Sequence, residues 1–135
     1  MTDKERGIAS LESSDGKNSL LIFKCDEPGT YSIYVHISFE QYPGSTHDRD
    51  EFRDVQYRID GGNPARLRSR CDDKCLIVTN AADVKRFAAA VASGKHLVVR
   101  AKTYQYREVD AAFDLGNAAE QIRHVVAVCK AKPII

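Results

Sequence analysis

Four cysteines carry the most defined chemistry in this chain. Two of them, Cys71 and Cys75, enclose three residues in "SRCDDKC". A C-x-x-x-C pair can be half of a zinc site, a redox dithiol, or a staple across a turn. A structural zinc takes four ligands, and Cys25 and Cys129, which would have to complete the set, lie in apolar segments. A redox dithiol favours a C-x-x-C spacing at a helix start, where the thiolate is stabilised. Here Asp72 and Asp73 adjoin the pair and disfavour a thiolate. In a hairpin of "ARLRSRC" and "CLIVT" around Asp72, Asp73 and Lys74, the two cysteines oppose each other across the strands. Directly opposed residues sit ~4.5–5.5 Å apart at Cα, within the range a disulfide accepts. The residues therefore favour a Cys71–Cys75 staple and, with it, an oxidising compartment, ahead of a pair of inert thiols, a metal site and a redox dithiol.

Cys25 ends the apolar run "LLIFKC", and Cys129 falls on the apolar face of a helical segment near the C-terminus. Two readings stand. The pair are buried thiols packing as small hydrophobes, or they form a bridge tying that helix to the first long strand. Such a bridge closes a loop of ~100 residues, worth on the order of 4–5 kcal/mol in the chain-entropy view.

The remaining candidates for chemistry are weaker. His36, His47, His96 and His124 share no metal-ligand spacing and read as ordinary surface histidines. "HDRDE" (47–51) is rich in oxygen ligands but lacks the spacing, glycine and terminal Glu of an EF-hand, so it reads as a solvated loop. "IDGGNP" precedes a strand instead of a helix and lacks the P-loop lysine, so it is a turn and not a phosphate cradle. No nucleophile elbow, carboxylate pair or Ser/His/Asp arrangement stands out. No catalytic, cofactor-binding or metal-binding residue is assigned, and no cofactor is expected. Triads are assembled in space, so an enzyme with an unrecognised site remains one alternative.

One surface feature remains. Arg66, Arg68 and Arg70 alternate along "ARLRSR", Arg58 lies on the preceding strand, and Tyr104, Tyr106 and Arg107 fall in another turn. Charges on an edge strand guard against sheet-to-sheet pairing, which is the plainer explanation. Arginine and tyrosine are also enriched at protein interfaces. Arg58, Arg66, Arg68 and Arg70 are therefore the candidate partner-binding residues.

The elements that must position these residues are short. Residues 1–6 are charged and expected to fray, leaving 7–135 as a single β-rich domain. "YSIYVHISF" (31–39) alternates, with Tyr31, Ile33, Val35, Ile37 and Phe39 on one face, as a half-buried antiparallel strand does. "VQYRID" (55–60) alternates likewise, and "HLVVRAKTY" and "VDAAFDL" add two further strands. Asn80 caps a helix whose Val84, Phe87, Ala88 and Val91 share a face, and Gly94 stops it. Asn117 and Glu120 form a capping-box signature before "AAEQIRHVVAVCK". Runs of strands with two helices and no βαβ alternation predict a mainly β fold: an antiparallel β-sandwich or flattened barrel with two short helices.

Composition narrows the partners. Twenty basic and nineteen acidic side chains give a net charge of +1, too balanced for a phosphate-neutralising surface. Nucleic acid is thus not expected as a partner. No apolar run approaches the ~18 residues of a membrane span, and the N-terminus has no hydrophobic signal core. The cysteines favour a periplasmic or secreted mature chain, with the cytoplasm as the other possibility.

Several motifs occur in a familiar order: "LLIFKC", "GTYSIYVHI", "VQYRIDGGNP", a helix with Phe87, "LVVRAK" and "AAFDLGNAAEQI", then Cys129. Together they resemble the type VI secretion system-associated accessory proteins and related exported or phage-borne domains of unknown function. The likeness spans most of residues 19–129, most specifically at "YRID", "LVVR" and "FDLG". It implies an exported, non-enzymatic protein with a Cys25–Cys129 disulfide. It also implies structural roles for Tyr57, Arg58, Asp60, Phe113 and Asp114. The expected function is a non-catalytic accessory or binding module that acts through protein–protein contacts, secretion-associated or otherwise extracytoplasmic. The alternative is a phage- or mobile-element-encoded inhibitor of a host protein. Partner identity and oligomeric state are not legible.

Overall fold

Alternating apolar and polar side chains become two-sided strands in the computed structural model, which describes residues 2–3, 7–25, 33–39, 55–72, 75–102 and 108–135. The first sheet contains β1 (Thr2–Asp3), β2 (Ile8–Glu12), β3 (Leu20–Lys24), β4 (Tyr34–Ser38), β7 (Arg70–Asp72) and β8 (Cys75–Val78). The second contains β5 (Val55–Ile59), β6 (Ala65–Leu67), β9 (His96–Lys102) and β10 (Glu108–Asp114). The strand orders are β1-β2-β3-β4-β8-β7 and β10-β9-β5-β6. Every pairing is antiparallel. Two helices, α1 (Ala81–Ser93) and α2 (Ala118–Cys129), complete the described elements. This is the mainly β, two-helix architecture expected from the sequence.

The core lies between the sheets. Leu21, Phe23, Val35, Ile37, Leu76 and Val78 come from the first sheet. They join one apolar cluster with Val55, Tyr57, Leu97, Val99, Ala111 and Phe113 of the second. The helices plug into this layer. Phe87 of α1 stacks on Phe23, with ring centroids 6.0 Å apart, and meets Tyr57 edge-on at 4.9 Å. One aromatic side chain of α1 thus touches both sheets. Ile122 and Ala118 of α2 pack beside Ala9, Leu11 and Phe23.

α1 forms as its local signals dictate. The Asn80 side chain accepts the Asp83 N–H at 3.1 Å, and Gly94 terminates the helix. At α2 the capping box does not form. Asn117 has φ −100° and ψ 32°, caps no backbone group, and instead accepts from the Gln121 side chain at 2.9 Å. An extended N-cap backbone is needed to aim the side chain at the first turn, and Asn117 lacks it.

Three further features depart from expectation. Thr2 and Asp3, in the stretch expected to fray, pair with Ala9 and Ile8. "ARLRSR" is not one strand: β6 pairs with β5 in the second sheet, whereas β7 pairs with β8 in the first. The chain changes sheets at Arg68 and Ser69, with Ser69 only 1% exposed. The β7–β8 hairpin also runs one residue away from the expected register. Asp72 lies opposite Cys75 and Cys71 opposite Leu76, so the two cysteines are not a directly opposed pair. The loop therefore holds two residues where three were expected. The side chains of Cys71 and Cys75 lie outside the described residues.

Cys25 and Cys129 are bridged, with Cα atoms 6.2 Å apart. Both are buried. Gly7 sits directly over the bond with φ +61°. A Cβ at Gly7 would come within 2.7 Å of Cys129 Sγ and 3.1 Å of Cys25 Sγ. Glycine is required there on two counts, backbone conformation and space.

The β2–β3 loop fastens the second sheet. Ser14 N–H donates to the Ala112 carbonyl at 2.8 Å, and Asp15 Oδ2 accepts the Ala112 N–H at 3.0 Å. Ala112 is on β10, an edge strand, so this contact occupies backbone groups that would otherwise face outward. Burial acts to raise the Asp15 pKa. Hydrogen bonds from the Lys17 and Ala112 N–H groups outweigh it and hold the carboxyl below its ordinary value.

Candidate protein-binding face

The outer face of the second sheet gathers the residues left over by the inward set. In register, Asp110 of β10 opposes Arg100 of β9, which opposes Gln56 of β5, which opposes Arg66 of β6. The next row sets Ala112 beside Val98 and Val98 beside Arg58. Arg58 and Arg66 therefore lie on adjacent strands, one register step apart on the same face. Both side chains are exposed.

The charges on this face are not equivalent. Arg100 donates from Nε to Asp110 Oδ1 at 2.8 Å and from Nη2 to Oδ2 at 3.2 Å, with Glu108 3.7 Å away. These acidic neighbours, the Asp110 hydrogen bond foremost, raise the Arg100 pKa. Arg58 and Arg66 have no ion-pair partner among the described residues. Between the paired and unpaired arginines lies Val98, a large hydrophobic side chain left 37% exposed.

Arg68 and Arg70 are placed elsewhere. Arg68 occupies the corner between the sheets, where its backbone N–H donates to Asp83 Oδ2 at 3.1 Å. Its side chain is exposed. Asp83 is buried to 3% exposure and also accepts from the Arg86 guanidinium. Burial pushes the nearby Tyr57 hydroxyl above its ordinary pKa, with Arg86 opposing and Asp83 adding to the shift. Arg70 is on β7, an edge strand of the other sheet, and its side chain lies outside the described residues. The four candidate arginines thus do not form one stripe. Arg58 and Arg66 share a face, Arg68 flanks it at the corner, and Arg70 belongs to a different sheet.

The motif positions have local explanations. Asp60 and Gly61 both take positive φ, 52° and 71°, and Gly62 N–H donates to the Ile59 carbonyl at 2.9 Å. Asp-Gly suits a tight turn with two such residues. The Asp60 carboxylate accepts the His96 N–H at 2.8 Å and the Lys95 N–H at 3.1 Å. Those bonds, His96 first, lower its pKa. Phe113 is in the core. Asp114 Oδ1 lies 2.8 Å from His96 Nδ1, with both side chains about two-thirds exposed at 68% and 69%. No hydroxyl or thiol is hydrogen-bonded to this His–Asp pair among the described residues.

His36 points away from the core on β4, and His124 is half-buried on α2. His47, the acidic loop 47–51, Tyr104, Tyr106 and Arg107 lie outside the described residues. No group of three or more His, Cys, Asp or Glu comes together among the described residues. No helix among them is long and apolar enough to cross a membrane. Sequence reasoning missed Val98, although its place between His96 and Arg100 in "HLVVRAK" puts an apolar residue on the polar phase of the strand. It also missed Asp83, whose role depends on a backbone group fifteen residues away.

No protein-family model matches the chain, and no curated protein matches it. Among solved structures, the crystal structure of invasion associated protein B from Bartonella henselae is similar, with a TM-score of 0.56 and 12% identity. The match covers 96% of this chain and 99% of that one. At this identity the likeness establishes a shared fold.

Proposed function

We infer that the chain is a non-catalytic binding module acting through protein–protein contacts outside the cytoplasm, in a secretion-associated setting. Its contact surface is the outer face of the second sheet. One observation carries this reading: Arg58 and Arg66 are exposed on adjacent strands with no acidic partner among the described residues, beside the exposed Val98. An arginine fork with free donors next to an apolar side chain can pair with a carboxylate while burying its weakly hydrated plane. Such anchors dominate protein interfaces. The Cys25–Cys129 bond supports an oxidising location, where disulfides persist. The fold is shared with a protein described as invasion associated, which supports the architecture of such a module.

The test is differential capture from extract of the source cell, using the oxidised chain and an Arg58→Ala/Arg66→Ala variant as baits. The variant should keep its thermal midpoint within the range of a change under ~1 kcal/mol, because both side chains are exposed. It should lose roughly tenfold or more of the specifically captured protein. Equal capture by the two baits would remove this face from consideration.

A further inference from the structure

A groove elsewhere on the molecule uses none of the arginine face. It encloses about 300 Å³ between the end of β8, the first turns of α1 and the C-terminal tail. Ile33 and Val84 line it from the core side, at 8% and 2% exposure. Pro133 and Ile134 line it from the tail side, and Lys85 and Lys132 complete the lining as charged residues. The tail is held in place by two devices. Lys130 takes a left-handed φ of 52°, turning the chain out of α2, while Ala131 N–H donates to the Val126 carbonyl at 3.1 Å. One residue earlier, Cys129 is bonded to Cys25. A groove wall fixed in this way needs little ordering on binding, which favours affinity.

The chemistry of the lining selects a ligand class. The apolar side chains favour a hydrocarbon body. Lys85 and Lys132 are both exposed, and neither has an ion-pair partner among the described residues. Two cations beside an apolar floor complement one anionic head. A volume of about 300 Å³ lies at the lower end of small-molecule sites, roughly 300–1,000 Å³, which suits a short chain. Two lysines in a chain of net charge +1 do not make a surface for a polyanion. We propose that this groove binds a small amphipathic carboxylate, its hydrocarbon chain against Ile33, Val84 and Ile134 and its head between Lys85 and Lys132.

Isothermal titration of the full, oxidised chain with sodium octanoate, kept below its micelle concentration, tests the assignment. 1-Octanol serves as the uncharged control of equal chain length. Octanoate should bind saturably and roughly tenfold more tightly than octanol, the sum of two solvent-exposed ion pairs. A Lys85→Gln/Lys132→Gln variant, altered only at exposed positions, should bind octanoate no better than octanol. Amide resonances of Val84 and Ile134 should move with saturation. Absence of saturable octanoate binding would overturn the proposal. So would equal affinity for the two ligands, or an affinity for octanoate that the double variant leaves intact.

Discussion

Where α2 meets the first sheet, the fastening is the covalent Cys25–Cys129 bond beneath Gly7. Where the chain crosses from β6 to β7, the fastening is a buried carboxylate, with Asp83 accepting the Arg68 N–H and the Arg86 guanidinium. The first seam acts largely on the unfolded chain, by removing conformations it could otherwise explore. The second acts in the folded state, because a buried polar group left without its partner costs free energy directly. The first is therefore sensitive to reductant, and the second to the loss of a hydrogen-bonding partner. A third fastening, Asp15 on Ala112, resembles the second in chemistry but lies nearer to solvent and should count for less.

Removing the covalent seam should have the largest effect. A Cys25→Ser/Cys129→Ser variant should lose about 4–5 kcal/mol in urea unfolding, on the loop-length estimate. Wild type in strong reductant should approach the same value. Equal stability with and without reductant would mean the bond adds nothing that packing does not already supply. Gly7→Ala probes the same seam from above and should cost about 2–3 kcal/mol, since it combines a strained backbone conformation with a contact against sulfur. Free-thiol titration after refolding should show incomplete bridging in this variant. If Gly7→Ala were neutral, the close approach over the disulfide would relax at no cost.

The polar seam comes next. Asp83→Ala should destabilise by about 1–3 kcal/mol, because it strands the Arg68 N–H. Hydrogen exchange at Arg68 and Ser69 should quicken more than at β9. Uniform quickening would show that Asp83 stabilises the whole fold and not the sheet crossing. The smallest effect belongs to Asp15. Its carboxyl pKa is lowered in the folded state. Its contribution is therefore present above the unfolded carboxylate value of about 3.9 and is lost as the pH falls through the folded value. Wild type should exceed Asp15→Asn in stability at pH 6 by under ~1 kcal/mol, and the gap should close on acidification. A gap that persists in acid would assign the contact to shape and not to charge.

These seams mark the limit of what the sequence discloses. α1 was legible end to end because its cap, its apolar face and its stop are all local signals: Asn80, then Val84, Phe87, Ala88 and Val91, then Gly94. β5, β9 and β10 were legible from alternation. β2 was not, because "IASLE" presents only Ala9 and Leu11 inward, and the small Ala9 faces the Ile122 side of α2. The break in "ARLRSR" is not legible locally, because the Asp83 carboxylate that receives the Arg68 N–H at the crossing lies on a later element. The Cys71–Cys75 hairpin was located but its register was off by one, which is the error that turn length controls. The arginine face was half legible. Arg58 and Arg66 were picked out, but the exposed Val98 between strands and the neutralisation of Arg100 depend on which strands become neighbours.

The position of the disulfide in the chain also governs how the molecule would respond to force. Cys25 and Cys129 enclose the whole second sheet (β5, β6, β9 and β10), both helices, and the strands β4, β7 and β8 within one covalent ring. Tension applied between Met1 and Ile135 would pass through that bond and leave the ring unloaded. About 30 residues of this sequence lie outside it, and their full extension corresponds to roughly 100 Å of contour. Peeling of β1, β2 and β3 would be the expected mechanical event, with the arginine face intact throughout. Yielding would then be confined to the β1–β3 edge of the first sheet and to the tail after Cys129.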